Sequence, residues 1–172
     1  MKLLRATESD LEPIVDLMNR AYRGEQGWAR EEGYLVGERI RLQDLRADIA
    51  AKPDMQLLVW CDDDGALLGC VSLEPEAGDA WFLGMLTVEP RIQERRLGRN
   101  LLAEAERVAA AAGARRIRMT VIWVRTTLIA WYQRRGYLPT GEMRPFPYGD
   151  DRWGVPQRDD LYFVVLEKPF PA

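Results

Sequence analysis

The sequence predicts a single domain of the α/β class, built on a mixed β-sheet. A strand, a helix and a second strand follow one another between Ala80 and Trp123, which implies a right-handed crossover between two parallel strands. An apolar hairpin precedes this unit and adds antiparallel strands. The 172 residues suffice for one full core but not for two, so we expect residues 1–172 to form one domain.

The first third of the chain predicts one short strand and two helices. The strand covers Lys2 to Arg5, and a second helical segment reaches about Ala51, where Pro53 stops it. Between them the apolar residues recur at the spacing of an amphipathic helix. These residues are Leu11, Ile14, Val15, Met18, Ala21 and Tyr22.

The middle of the chain predicts a hairpin and a buried strand. Two apolar stretches, Met55–Cys61 and Ala66–Leu73, flank a turn of three aspartates and Gly65. Residues Ala80 to Val88 are apolar on both faces, as in a buried strand, and Gly84 is a candidate bulge position.

The last part of the chain predicts two helices and three strands. Leu97 to Ala112 has one apolar face and ends at Gly113, a residue typical of helix C-termini. The remaining elements are a strand at Arg116–Trp123, a short helix at Thr126–Arg135, and strands at Leu138–Met143 and Leu161–Glu167.

The amino-acid composition argues against several classes of protein function. The chain has no histidine, which removes the His-dependent nucleophile pairs and the usual zinc sites. Cys61 and Cys70 lack metal-ligand spacing, so we expect neither a metal nor a disulfide. A net charge of −3 argues against a nucleic-acid partner. No apolar run nears the length of a membrane span, and no signal peptide is evident, so a cytoplasmic location is expected.

Positive charge is concentrated after the buried strand. Arg91, Arg95, Arg96 and Arg99 surround the point where the next helix begins. The free N–H groups and the dipole of a helix N-terminus favour anions, and the carboxyl end of a strand is where open α/β sheets bind ligands. The segment therefore predicts a phosphate site, although a solvated basic loop has the same composition.

Two motifs in this sequence resemble those of the GNAT acyltransferase superfamily. Its motif A consists of V-x-P, then Q/R-x-x-G-x-G/A, then paired leucines; here the segments are VEP from Val88, QERRLG from Gln93, and Leu101-Leu102. Arg96 occupies the position of the first motif glycine. Motif B, A-x-x-x-Y-x-x-x-G-F/Y, is similar to the segment from Leu128 to Tyr137, and Arg125 replaces the usual asparagine before it.

The resemblance implies a fold and a cofactor. The fold is a mostly antiparallel sheet of six to seven strands, with a splay between its parallel fourth and fifth strands and about four flanking helices. The cofactor is acetyl-CoA, with the acetyl group in the splay. By resemblance, the residues that bind it are Leu86, Thr87, Val88, Gln93, Glu94, Arg95, Arg96, Leu97, Gly98, Arg99 and Arg125.

The resemblance also implies N-acetyl transfer to an amine, with Tyr132 as the acid that protonates the CoA thiolate. A tyrosine has a reference pKa of about 10, so it stays protonated at neutral pH and can donate to a thiolate whose conjugate acid has a pKa of about 8.5. No general base is assigned among Glu74, Glu76, Glu89 and Glu142. The alternative is a non-catalytic module of the same fold that binds acyl-CoA.

Acceptor specificity is expected to depend on the segment after the first helix. Tyr22, Trp28, Glu31 and Glu142 are candidate contacts to a cationic amine, although a solvated loop is an equal reading of this segment. Aromatic residues between Pro145 and Trp153 predict either a wall of this site or a homodimer contact. No membrane partner is expected.

Overall fold

The architecture comes from a computed structural model that describes residues 2–24, 31, 33–92 and 96–171. Its first half contains β1 (Leu4–Arg5), α1 (Leu11–Arg23), β2 (Leu35–Val36), α2 (Leu42–Ala51), β3 (Gln56–Cys61), β4 (Leu67–Pro75) and β5 (Ala80–Val88). Its second half contains α3 (Leu97–Ala111), β6 (Arg116–Ile122), α4 (Thr126–Gln133), β7 (Leu138–Pro145), β8 (Val155–Pro156) and β9 (Tyr162–Pro169).

Seven strands form one mixed sheet in the order β1-β3-β4-β5-β6-β9-β7. The pairs are antiparallel except for β5 and β6, which run parallel and are joined through α3. The predicted mixed sheet, hairpin and crossover are thereby confirmed. The structure adds a small antiparallel sheet of β2 and β8, which the sequence did not predict because two-residue strands have no measurable periodicity.

The two faces of the sheet pack against different helices because neighbouring strand residues point to opposite sides. Leu57 and Val59 on β3 pack with α1 and α2, whereas Leu58 between them packs with α3. The cluster on the α3 side also contains Tyr132 and Tyr137. None of the described helices is long and apolar enough to span a membrane.

Candidate active site

The parallel strands β5 and β6 separate after a short paired region. Their ladder joins only Ala80–Phe82 to Arg116–Arg118, while on its other side β5 stays paired with β4 as far as Val88. Beyond Phe82, the backbone of β5 on the β6 side therefore makes no ladder bond to β6 within the described residues. This splay leaves amide and carbonyl groups available to an amide-containing ligand.

A bulge in β5 shapes the splay. The pairing of β4 with β5 shifts register between Cys70 and Ser72, so that β5 carries one extra residue. Met85 lies at this bulge, and its φ of 54° is in the left-handed region. A Cβ on the neighbouring Gly84 would lie 2.8 Å from Ser72 Oγ, so a larger residue here would force the Ser72 side chain to move. The predicted bulge is thus present, with Met85 as the left-handed residue.

A cavity of about 560 Å³, which we call the basic cavity, lies where the end of β5 meets the beginning of α3 and α4. Its lining contains the guanidinium groups of Arg96, Arg99, Arg125 and Arg135, and its one described carboxylate is Glu89. Glu89 Oε2 is paired with Arg20 Nη2 at 3.0 Å. The lining therefore presents excess positive charge beside the free amides of the first turn of α3.

Arg96 begins α3 in an unusual conformation. Its φ of 53° and ψ of 29° lie in the left-handed region, which is strained for a residue with a side chain. The GNAT-like motif has a glycine here, and glycine adopts this conformation without strain. Arg96 thus holds a backbone conformation that a glycine adopts freely, and it is an exposed residue in the lining of the cavity.

Arg135 is a site residue that the sequence reasoning missed. Its guanidinium stacks on the Trp131 ring at 3.5 Å from the centroid, and Nη1 donates to the Trp131 carbonyl at 2.6 Å. Its Nε is buried without a hydrogen-bond partner in the described part of the chain. Burial lowers the pKa of Arg135, and Arg134 and Arg99 lower it further, so its charge is poorly compensated. Its position three residues after Tyr132, in the turn that follows α4, was the available signal.

A second cavity of about 470 Å³, which we call the aromatic cavity, lies between β5, β6, β7 and β9. Phe82, Met85, Phe146, Trp153 and Phe163 line it, as do Pro145 and Pro147. This placement agrees with the reading of the Pro145–Trp153 aromatics as a wall of the site. The two cavities share five lining residues, which are Tyr22, Leu86, Arg125, Leu128 and Tyr132.

Tyr132 lies on α4 at this junction and is 6% exposed. Its ring contacts Trp131 and Tyr137 edge-on, at centroid distances of 5.0 and 5.6 Å. Burial raises the pKa of Tyr132, and Tyr22 adds to this rise, whereas Arg125 and Arg135 oppose it. The phenol therefore stays protonated at neutral pH, as a proton donor must.

Tyr22, near the end of α1, closes the junction from the other side. Its hydroxyl donates to the Leu86 carbonyl on β5 at 3.3 Å. The guanidinium groups of Arg39 and Arg125 lie over its ring, at 5.1 and 5.5 Å from the centroid. Tyr22 thus fixes both the splayed strand and two arginines of the site.

Glu31 is the centre of an arginine cluster and is only 4% exposed. It forms an ion pair with Arg23, and its two oxygens lie 4.0 Å from Arg39 Nε and 3.7 Å from Arg125 Nη1. Arg125, in the asparagine position of the motif, therefore lines the aromatic cavity as well as the basic cavity. Both Glu31 oxygens already face cations, which does not suit the expected contact to an amine.

The other predicted residues fall into three groups. Leu86, Thr87, Val88, Leu97, Gly98 and Arg99 line the basic cavity together with Arg96. Trp28, Gln93, Glu94 and Arg95 lie outside the described residues. Glu142 lies on β7 outside both cavity linings and forms ion pairs with Arg118 and Arg144.

Among the four carboxylates considered as the base, Glu74 alone lines the aromatic cavity. It is paired with Lys52 at 2.8 Å. Glu89 lines the basic cavity instead, and Glu76 lies near Arg118 and Arg144 at 3.6 and 3.9 Å. The geometry thus separates Glu74 from the other three candidates.

Comparison with known proteins supplies the family. A curated relative, "IAA acetyltransferase" of Azospirillum brasilense, is 34% identical over 104 residues, which are 59% of this chain and 65% of the relative. The PaiA N-acetyltransferase of Thermoplasma acidophilum, solved with coenzyme A, has a TM-score of 0.66 at 19% identity, with 98% of each chain covered. The ribosomal-protein-S18-alanine N-acetyltransferase of Escherichia coli has a TM-score of 0.70 at 15% identity, with 99% of this chain and 94% of that chain covered.

The two solved structures establish a shared fold, with its mostly antiparallel sheet and its parallel splayed pair. The profile described as the Acetyltransferase (GNAT) family matches residues 12–137, a span from α1 to the end of motif B. This span contains the splay, the first turn of α3 and Tyr132. The chain belongs to the GNAT acetyltransferase family.

Proposed function

We propose that this protein transfers an acetyl group from acetyl-CoA to a primary amine, with Tyr132 as the general acid. The observation that carries the proposal is the meeting of two cavities at a buried tyrosine, one lined by arginines and the other by aromatic residues. Group transfer between two substrates needs two sites that share one reacting point. The family match and the acetyltransferase names of the relatives support the same chemistry.

The residues of the basic cavity suit the phosphates of CoA. Arg96, Arg99 and Arg135 offer cations, and the first turn of α3 offers backbone amides. An added Cβ at Gly98 would lie 3.8 Å from Trp131, an ordinary contact distance, so packing within the protein does not require a glycine there. Gly98 instead leaves the floor of the cavity open to a ligand.

The splayed edge of β5 suits the pantetheine arm, because that arm contains amides that can pair with a free strand edge. Acetyl-CoA supplies an acetyl group activated as a thioester. Tyr132 would hold its proton near the departing sulfur and give it up as the carbon–sulfur bond breaks. The raised pKa of Tyr132 keeps this proton on the phenol at neutral pH until the thiolate departs.

The amine enters from the aromatic cavity, whose lining combines aromatic and charged residues. Glu74, a candidate base, lies in that lining, where Lys52 holds it in an ion pair. We therefore assign binding and acid catalysis to the chain and propose no residue as the base. The second candidate function, acyl-CoA binding without turnover, would use the basic cavity alone.

Calorimetric titration with CoA and a thiol-release assay with an amine panel test the proposal together. Wild type should bind CoA but not NADH. Arg135→Gln should bind CoA more weakly by about 1–3 kcal/mol, the value of a charge-assisted contact. Arg107→Gln is the matched control, since Arg107 lies on α3 outside the cavities and is paired with Glu104.

The outcomes separate the two candidate functions. CoA binding with thiol release in the presence of an amine supports the enzyme. CoA binding without release for any amine favours the acyl-CoA-binding module. No binding of CoA at millimolar concentration contradicts both.

A further inference from the structure

Arg39 is held rigidly in the wall of the aromatic cavity. Its guanidinium lies between the rings of Tyr22 and Trp153, at 5.1 Å from each centroid. Its backbone N–H donates to Asn19 Oδ1 on α1 at 2.6 Å. Both the main chain and the side chain are thus fixed before any ligand arrives.

The hydrogen-bonding capacity of Arg39 is not used up by the protein. Its Nη1 is buried and has no partner among the residues that the structure describes. Its Nε is 4.0 Å from Glu31 Oε2, which is beyond hydrogen-bond distance. Because buried donors in native proteins are almost always paired, this group is available to an acceptor that enters the aromatic cavity.

The surrounding charges determine what that partner can be. Besides Tyr22 and Tyr132, the ionisable residues that line the aromatic cavity are Arg39, Lys52, Arg125 and Arg144, with Glu31, Asp48 and Glu74. Of these, Arg39 and Arg125 lie beside Glu31. Arg23 also pairs with Glu31, so three guanidinium groups surround one carboxylate. A second carboxylate would be attracted to this cluster, whereas a substrate carrying several positive charges would be repelled.

We propose that the acceptor of this protein is an amine that also bears a carboxylate, and that Arg39 binds this carboxylate. The inference rests on the proposed acetyl transfer and names its substrate class. Guanidinium and carboxylate are planar and can form two parallel hydrogen bonds, which fix the orientation of the substrate. Its apolar part lies against Phe82, Met85 and Phe146, and its amine reaches the junction at Tyr132.

The kinetic test compares acceptors that differ only in the anionic group. L-Phenylalanine and L-methionine are set against their carboxamides and against 2-phenylethylamine, at saturating acetyl-CoA. Wild type should favour the carboxylates by about 10- to 100-fold in kcat/KM, mainly through KM, the range expected for one charge-assisted pair. Arg39→Gln should remove this preference, and Arg39→Lys should keep part of it.

Arg41→Gln is the matched control variant. Arg41 lies two residues away, outside both cavities, with Nε 2.7 Å from Asp44 Oδ2. It should keep the wild-type preference. If Arg39→Gln and Arg41→Gln lost the preference for carboxylates to the same extent, the overall electrostatic field of the protein would select the substrate. This outcome would contradict a specific contact with Arg39.

A binding test on the wild-type protein examines the same inference, and its result does not depend on which amines react. With CoA present, 3-phenylpropionate should raise the melting temperature of wild type and 3-phenylpropionamide should not. Arg39→Gln should lose the response to the carboxylate while binding CoA normally. Equal responses to the acid and the amide, or turnover that favours the carboxamides, would overturn the inference and leave acetyl transfer intact. Failure to bind CoA would instead contradict the proposed function.

Discussion

Two buried tyrosines five residues apart differ in how their hydroxyl groups are used. The Tyr137 hydroxyl donates to Glu106 Oε1 at 2.9 Å, and Lys168 Nζ completes the network at 2.6 Å from Glu106 Oε2. Tyr132 borders both cavities, and its hydroxyl has no hydrogen-bond partner among the described residues. The two tyrosines are thus similarly buried, but the Tyr137 hydroxyl is used in a hydrogen bond within the fold whereas the Tyr132 hydroxyl remains available for other contacts.

Burial of these groups predicts a loss of stability at alkaline pH. It raises the pKa of Tyr34 and of the Cys70 thiol to about 12, and raises those of Tyr132 and Tyr137 as well. Above their unfolded pKa values of 9.0 for the thiol and 10.0 for the phenols, the unfolded chain releases protons that the native state retains. Each group then lowers the free energy of unfolding by about 1.4 kcal/mol per pH unit.

Urea denaturation from pH 6 to 11 measures this effect. Because the chain has no histidine, stability should change little from pH 6 to 8, and it should fall steeply above pH 10. Tyr34→Phe should reduce the alkaline slope. A free energy of unfolding that stays constant up to pH 11 would contradict the burial of these phenols.

At the scale of elements, the start of α3 combines a strained residue, Arg96, with the lining of the basic cavity. Arg96→Gly should raise the free energy of unfolding by up to about 1 kcal/mol, because glycine adopts the left-handed region freely. Arg96→Ala removes the same charge but keeps the strained backbone, so it should give no such gain. Chemical denaturation of the two variants without ligand measures the difference.

The same pair of variants reports what the Arg96 side chain does. If it contacts phosphate, both variants should bind CoA more weakly by about 1–3 kcal/mol. Tighter binding by Arg96→Gly and Arg96→Ala would show that the side chain crowds the cavity. Stabilisation by alanine equal to that by glycine would contradict the strained turn.

The elements of the site could be predicted from the sequence where they depend on residues close together along the chain. The pattern of apolar residues along β5 and α3 predicted the strand and the start of the helix, because each depends on neighbouring residues. Tyr132 was singled out by the resemblance of its segment to motif B. The aromatic cavity was not predictable in this way. It brings together Arg39 and Trp153, which are far apart in sequence, and their contact depends on the packing of the whole fold.

At the scale of the molecule, the splay is what brings the two cavities into contact. A ladder continuing from Phe82 along β5 and β6 would close the gap that Leu86 and Tyr132 now border. The bulge at Met85 and the close approach at Gly84 belong to the same strand. The fold therefore creates the junction, and the side chains at the junction determine the chemistry proposed for it.

The most direct test of that chemistry is the turnover of Tyr132→Phe at saturating acetyl-CoA and amine, with Tyr137→Phe as the matched control. Phenylalanine keeps the buried ring and removes only the hydroxyl, so CoA affinity and stability should change little. Loss of a general acid should lower kcat by about 10²- to 10⁴-fold. Tyr137→Phe should keep kcat and lose about 1 kcal/mol of stability, because Glu106 loses a hydrogen-bond donor. Near-full turnover by Tyr132→Phe, with chemistry limiting the rate, would contradict the account.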